Sequence, residues 1–531
     1  MGTFGSFGTV RLGIYAAQKG LDVTGNNITN INTEGYTRQR LNQVSLIPGA
    51  ADRYFSSYKT RIGQGAVVAG VDQLRDPGLD ISYRKAMADV GSANTKLGGL
   101  NDLATILDEV GKGDLEQDDG VILSQLNDLR ALINEAITNG VDTYNSLIRE
   151  SAKSLAGLFN TYANKLEQLD KTYQKNLDQE VTEVNNILKQ IQELNVAIRN
   201  SDIRGDEGLE LRDQRNLLLD KLNEYVKVDV KYSMKDIGAD TYVEELTITL
   251  ANDPPHNHTL IQGEYAAQMG VDKANNYNIN LYALRGPDGE KKDPNDTDPV
   301  GLRDNDLYGS LQSLRELLTE EGEYATNADI AIDADASTKR GIPYYRNALD
   351  NLARTFAEEM NKLNDTDLAG SGALFSNSSS GNDTTGITAG NISVSYDWAN
   401  DIVSIQATAD ANAPSGDTSQ LAKFLDLFNR EDIAFDPKNI DANAAGNPYV
   451  GSFEDMLLRI QSTLAEDQMT TDAILNNHLV TANDIYVDRE SVMGVDLNDE
   501  ATSLMTYQKA YAAACRLMTT LNTALDSLLA M

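Results

Sequence analysis

The sequence predicts a multidomain α+β protein. It comprises a terminal helical coiled-coil layer, a long-helix bundle layer and inserted β-rich domains, nested along the chain so that the N- and C-termini pair. Three observations carry this reading. Both ends of the 531-residue chain show apolar residues in steps of 3 and 4, the stretch from Val141 to Asn200 reads as one unbroken helix, and strand-like alternation is confined to the middle. Apolar spacing of that kind lines one face of a helix and needs a partner surface.

At the N-terminus the stripe is Phe7, Val10, Ile14, Ala17 and Leu21; at the C-terminus it is Leu504, Tyr507, Tyr511, Ala514, Met518, Leu521, Leu525 and Leu528. A single helix in water is marginal, so each stripe is expected to be completed by the other terminus, by neighbouring copies, or by both. Residues 3–24 read as helix, which the Asn- and Gly-rich run Gly25 to Gly35 is expected to stop. Asn and Gly tolerate the left-handed and turn conformations that most residues avoid. Ile28 and Ile31 continue the apolar spacing through that run, suggesting a short helical turn on the seam. Alternating, Gly-rich sequence up to Pro77 suggests extended chain and a small hairpin.

From Pro77 to Val226 the chain reads as mostly helical. Leu97, Leu100, Leu103, Leu107 and Val110 mark one helix, and Val121, Leu126, Leu129, Leu132 and Ile137 a second. The Val141–Asn200 segment follows, a rod on the order of 90 Å at about 1.5 Å per residue. Leu209 to Tyr225 returns as helix. Val226, Val228 and Val230, then Leu246, Ile248 and Leu250, alternate with polar residues as strands do, and 278–282 resembles another strand. Helix resumes at 307–320 and 343–363. The Ser-, Asn- and Gly-rich stretch 370–450 suggests short strands at 392–396 and 402–405, with Trp398 packing a small core. A long helix over 453–489 and a terminal one opened by Asp496 complete the chain. Asp is a good N-cap. The expected division is 1–45 with 491–531 as a terminal helical domain, 46–227 with 309–365 and 451–490 as a long-helix domain, and inserts at 228–308 (β-rich) and 366–450.

A formal charge of −35 argues against nucleic acid or an anionic membrane as partner. No run of 18 apolar residues suggests a membrane span. The first residues lack the basic and apolar regions of a secretory signal, so a cytosolic protein or one exported without cleavage is expected. Cys515 is the only cysteine and suits helix packing. No nucleotide-binding, hydrolase or metalloprotease motif occurs. His256 and His258 flank one residue in a turn, without a third metal ligand in view, and His478 lies beside a helical apolar face. No catalytic residue, metal site or cofactor is therefore expected.

The segment Leu12-Gly13-Ile14-Tyr15-Ala16-Ala17-Gln18-Lys19-Gly20-Leu21-Asp22-Val23-Thr24-Gly25-Asn26-Asn27-Ile28-Thr29-Asn30-Ile31-Asn32-Thr33-Glu34-Gly35-Tyr36 closely resembles the N-terminal signature of the flagellar axial proteins, the rod, hook and hook-associated family. Asn26, Asn27, Asn30, Thr33, Gly35 and Tyr36 carry that signature. The run Met493 to Ala501 with Tyr507-Gln508-Lys509-Ala510-Tyr511, and Leu211-Arg212-Asp213-Gln214-Arg215 with the helix that follows, are similar to hook-associated members. Phe4-Gly5-Ser6 and Thr29 depart slightly from the usual pattern. The resemblance implies a structural protein at the junction of hook and filament, exported by the flagellar type III route and assembled as a homo-oligomeric ring or tube outside the cell. It also implies, as partners, the hook protein, hook-associated protein 3 (FlgL) and a flagellar export chaperone (FlgN) at the C-terminal helix. A different axial component (hook, distal rod or flagellin-like) is the alternative.

Overall fold

The computed structural model describes residues 3–46, 65–107, 120–238, 242–251, 258–302, 307–366 and 368–530. Val110 and His256, singled out above, lie outside the described residues.

The chain begins with helix α1 (Thr3–Thr29) and a two-stranded antiparallel ribbon, β1 (Gln39–Ser45) on β2 (Ala66–Gln73). Helices α2 (Pro77–Leu107), α3 (Val121–Asn139), α4 (Val141–Arg204) and α5 (Leu209–Tyr225) then form the long-helix layer. Helix α4, with 64 residues, is the spine: Leu155, Phe159, Leu166, Leu177, Val184, Leu188 and Ile191 are buried along one stripe. Gly205 ends it in the left-handed conformation that helix C-termini favour.

Strands β3 (Val228–Asp236), β4 (Tyr242–Leu250), β5 (Thr259–Gln262), β6 (Tyr265–Asp272), β7 (Asn278–Arg285) and β8 (Val300–Gly301) make one antiparallel sheet in sequence order. β3, β4 and β7 match the alternation in the sequence; β5 and β6, where small and polar residues blur the period, leave no such trace. The sheet leans on α4 through amide side chains. Asn185 donates to the Met269 carbonyl (2.8 Å) and accepts from its N–H (2.7 Å), and Gln192 donates to the carbonyls of Glu264 and Arg285 (2.7 and 2.9 Å).

Helices α6 (Ser310–Thr319), α7 (Asn327–Ile332) and α8 (Ile342–Asn364) return to the spine. The polar stretch beyond holds short pieces: β9 (Phe375–Ser376) with β10 (Ser393–Val394), α9 (Tyr396–Ala399), α10 (Ser419–Leu427), and β11 (Ile433–Phe435) with β12 (Tyr449–Gly451). Trp398 is fully buried against Phe375. The expected strand at 402–405 is absent. Its backbone is held instead by single partners, Ser404 N–H donating to the Gly370 carbonyl, Ile405 N–H to Asn145 and Gln406 N–H to Asn364. One continuous apolar core joins α4, α6, α8, the six-stranded sheet and the polar stretch.

Helices α11 (Phe453–Met493) and α12 (Leu497–Leu529) close the chain. The fold is mixed α/β, and its ends are paired: α11 packs along α2, and α12 along α1. The α2–α11 stem has its own thin core of Ala86, Val90, Ala93, Leu475 and Ala482.

Candidate assembly interface

The coil made of α1 and α12, and the elbow where that coil meets the body, lie outside the continuous apolar core, as the α2–α11 stem does. In the coil, α1 runs toward the elbow and α12 away from it. Gly20 and Tyr507 set the approach, because a Cβ on Gly20 would overlap the Tyr507 ring. Glycine in mid-helix costs roughly 0.5–1 kcal/mol relative to alanine; its unfavourable position is the signal by which Gly20, not picked out from the sequence, can be found.

Of the predicted seam residues, Val10 and Ala17 are buried, and Phe7, Ile14, Leu21, Ile28, Leu504, Tyr507, Ala514, Met518, Leu521 and Leu525 are half-buried. Ile31, Tyr511 and Leu528 are exposed, at 39%, 37% and 61%. Glu500 alone is buried among the 33 residues of α12. Outside the seam, Leu517, Met505 and Leu529 are more than half exposed. The thiol of Cys515 is half-buried.

The elbow departs from the expected break. Helix α1 does not stop at Gly25 but continues to Thr29, because the asparagines bond inside and across the turn rather than opening it. Asn30 donates to the carbonyl and side-chain oxygen of Asn26 (3.0 and 2.9 Å). Asn27, fully buried, donates to the Gln39 carbonyl and accepts from the Gln39 N–H, both at 2.9 Å, so one side chain serves β1 as a neighbouring strand would. The Tyr36 hydroxyl donates to the same Asn27 oxygen (2.8 Å), and Thr33 donates to Asn30 (3.1 Å). Gly35 turns the chain at φ +76°, where its missing side chain leaves room for Leu217. All six signature residues thus meet in this turn.

Behind the turn lies a clasp of opposite charges drawn from distant segments. Thr37 gives its hydroxyl and N–H to Asp213 (2.6 and 3.1 Å), and Arg75 reaches Thr37 (3.2 Å) and pairs with Asp80. Arg489 of α11 bridges Asp80 (2.8 Å) and Asp220 (2.6 Å), and Arg84 holds Asp220 from the other side (2.7 Å). Arg38 pairs with Glu500 at the start of α12 (2.8 Å), while its N–H donates to the Met493 carbonyl (2.9 Å). Asp496 caps α12 by accepting from the N–H groups of Asn498 and Asp499 (2.7 and 3.3 Å). The four arginines face four carboxylates, and Asp80, Arg84, Asp213, Arg489 and Glu500 are buried. Burial pushes the Asp213 carboxyl up to about 6, against the Thr37 hydrogen bonds and Arg75, which pull it down. Burial, with Asp213, Glu210 and Glu500 nearby, also raises the Tyr36 hydroxyl well above its ordinary value. Asp213 and Asp220 fall in the Leu211 motif and its helix, and Glu500 in the Met493–Ala501 run; Arg75, Asp80, Arg84 and Arg489 lie outside these runs, and nothing in the sequence distinguishes them among 45 basic and 80 acidic residues.

A cavity of about 490 Å³ opens at the elbow between the Asn30–Tyr36 turn, α5 and α11. Among the described residues, no group of three or more His, Cys, Asp or Glu is arranged to hold a metal ion, and no helix is long and apolar enough to cross a membrane.

A coil built from the two ends of the chain, clasped to a long-helix body, matches what comparison with known proteins finds. The model for the helical domain of flagellar hook-associated protein FlgK matches residues 115–377, that for the C-terminal part of basal body rod FlgEFG proteins matches 491–531, and that for flagella basal body rod proteins matches 13–37. The chain belongs to the flagellar axial proteins. Within that class it belongs to the family of hook-associated protein FlgK. Flagellar hook-associated protein 1 of Bacillus subtilis is 25% identical over 531 residues, covering 99% of this chain and 98% of the relative. The Salmonella typhimurium protein of that name is 25% identical over 594 residues, covering 97% and 98%. A solved structure of the hook junction protein FlgK from Burkholderia pseudomallei aligns over 56% of this chain and 46% of that one, at 19% identity and a TM-score of 0.41. The two rod-protein matches fall on the segments that form the coil and elbow.

Proposed function

We propose that this chain is a structural subunit of the junction between flagellar hook and filament, built into a ring or tube through its α1–α12 coil after type III export. The observation that carries this reading is the unfinished coil: a 33-residue helix with a single buried residue leaves apolar surface that further copies can cover. In this reading the coil forms the inner layer, 1–45 with 491–531, the body 46–227 with 309–365 and 451–490 surrounds it, and the 228–308 and 366–450 inserts face outward. The seam and signature residues then serve assembly, and the chain is a scaffold rather than a catalyst. Its partners are further copies, the hook protein and hook-associated protein 3, with the export chaperone covering the C-terminal helix before export.

The test is removal of residues 497–531. The truncated chain is expected to keep its body, by circular dichroism and thermal unfolding, and to be lost from purified hook–basal bodies and from chaperone pull-downs. A truncated chain that is still incorporated refutes the reading.

A further inference from the structure

The coil carries charges that its own chain leaves unanswered. Since Gly20 lies against Tyr507 and the helices are antiparallel, Arg11, nine residues before Gly20, is level with Arg516, nine residues after Tyr507. Both are exposed, and neither makes an ion pair among the described residues. Lys509, nearer the elbow, is likewise exposed without an ion pair there, and Lys19 pairs only with a half-exposed Asp22 at 3.6 Å. On the far side of the Gly20–Tyr507 contact the coil's described residues hold four cations against one anion, Asp526, in a chain of net charge −35. Two arginines at one level repel each other, so the arrangement favours an anionic surface from outside.

The elbow cavity is the complementary surface. Glu34, Asp220, Glu224 and Glu490 line it, against Lys221 and an Arg489 already engaged by Asp80 and Asp220. Glu34, Glu224 and Glu490 make no ion pair among the described residues. Tyr83 and Tyr486, with ring centres 6.0 Å apart, form an aromatic wall; Arg489 already lies over the Tyr83 ring (4.7 Å), which leaves the exposed Tyr486 as the ring open to an incoming side chain. Carboxylates beside aromatic faces suit a guanidinium, which bonds the first and stacks on the second.

We propose that the elbow cavity of one copy receives Arg516 from the coil of a neighbouring copy, with Arg11 of that coil meeting the cavity's acidic rim. The proposal rests on the assembly reading above and names the contact that sets its stagger. Arg516 lies nineteen residues beyond Leu497, about 28 Å along the helix axis at 1.5 Å per residue, so adjacent coils would be offset by roughly that distance. A contact between two different patches does not close on itself as a two-fold one does, and it propagates into a ring or helical array.

The test uses full-length chains in cells lacking the endogenous copy, with incorporation measured on purified hook–basal bodies. Arg516→Glu is expected to cut incorporation at least about tenfold, since like charges at an interface repel, and adding Glu490→Lys is expected to restore most of it. Independently, Arg516→Cys with Glu490→Cys, in a Cys515→Ser background, should give intermolecular disulfide ladders that neither single cysteine gives. Normal incorporation of the Arg516→Glu chain overturns the contact, as does loss without rescue together with absent ladders. Failure of the unaltered chain to incorporate overturns the assembly reading itself, and the contact with it.

Discussion

Helices α4 and α12 are both long and amphipathic, yet they finish differently. α4 buries 17 of its 64 residues against helices and sheet of its own chain; α12 buries one of 33. The body is thus closed within a single copy, whereas the coil has a half-covered seam and open flanks. Side chains on α4 should set the stability of the free chain, and side chains on α12 should matter chiefly once copies meet.

The widest separation is expected between Phe159 and Leu521. Phe159→Ala removes a fully buried ring and should cost about 3–5 kcal/mol in chemical unfolding of the free chain. Leu521→Asp should cost under about 1 kcal/mol in that assay, as changes away from a closed core usually do, and abolish incorporation into flagella. Equal losses in both assays for Leu521→Asp would show that the coil is already closed in one copy.

At the elbow, Arg489→Ala leaves Asp80 and Asp220 without a shared cation inside a buried cluster, and about 3 kcal/mol of stability should go with it; a change below about 1 kcal/mol would mean the clasp is solvated and the coil hangs free of the body. The Asp213 carboxyl gives a pH signature. Its folded value, about 6, lies above the ordinary 3.8, so its stabilising contribution is full below about pH 4 and is lost as pH rises through about 6. Unfolding midpoints for Asp213→Asn against the unaltered chain should therefore shift in favour of the variant as pH rises from about 4 to about 6, and hold steady above that. A pH-independent difference would show that Asp213 does not titrate there. Tyr36→Phe, which deletes the bond to Asn27, should have the smallest effect, about 1 kcal/mol in the same assay.

The body is largely legible in the sequence because its signals are local. Apolar steps of 3 and 4 locate α4 from Val141, and a left-handed Gly205 ends it four residues beyond the expected limit. The elbow is harder. Gly25 to Asn30 has the composition of a helix stop, but Asn27 and Asn30 spend their amides on Gln39 and Asn26, and those bonds carry the helix through. The same substitution of a side chain for a strand defeats the reading at 402–405, where Asn145 and Asn364 hold the backbone. An asparagine bonding a distant main chain leaves no periodic trace. The resemblance marks the residues of the elbow as a group; only the geometry relates them to Arg75, and to Arg489 about four hundred residues further along the chain.

Only Gly494, Val495 and Asp496 separate α11 from α12. Three residues reach about 10 Å at full stretch, so the coil is on a short leash: it can pivot about the elbow but cannot slide along the stem. Any twisting load carried by the coil must then enter the body at the elbow, from α1 through the Asn27–Gln39 bonds and from α12 through the Arg38–Glu500 pair and the Arg38 bond to the Met493 carbonyl.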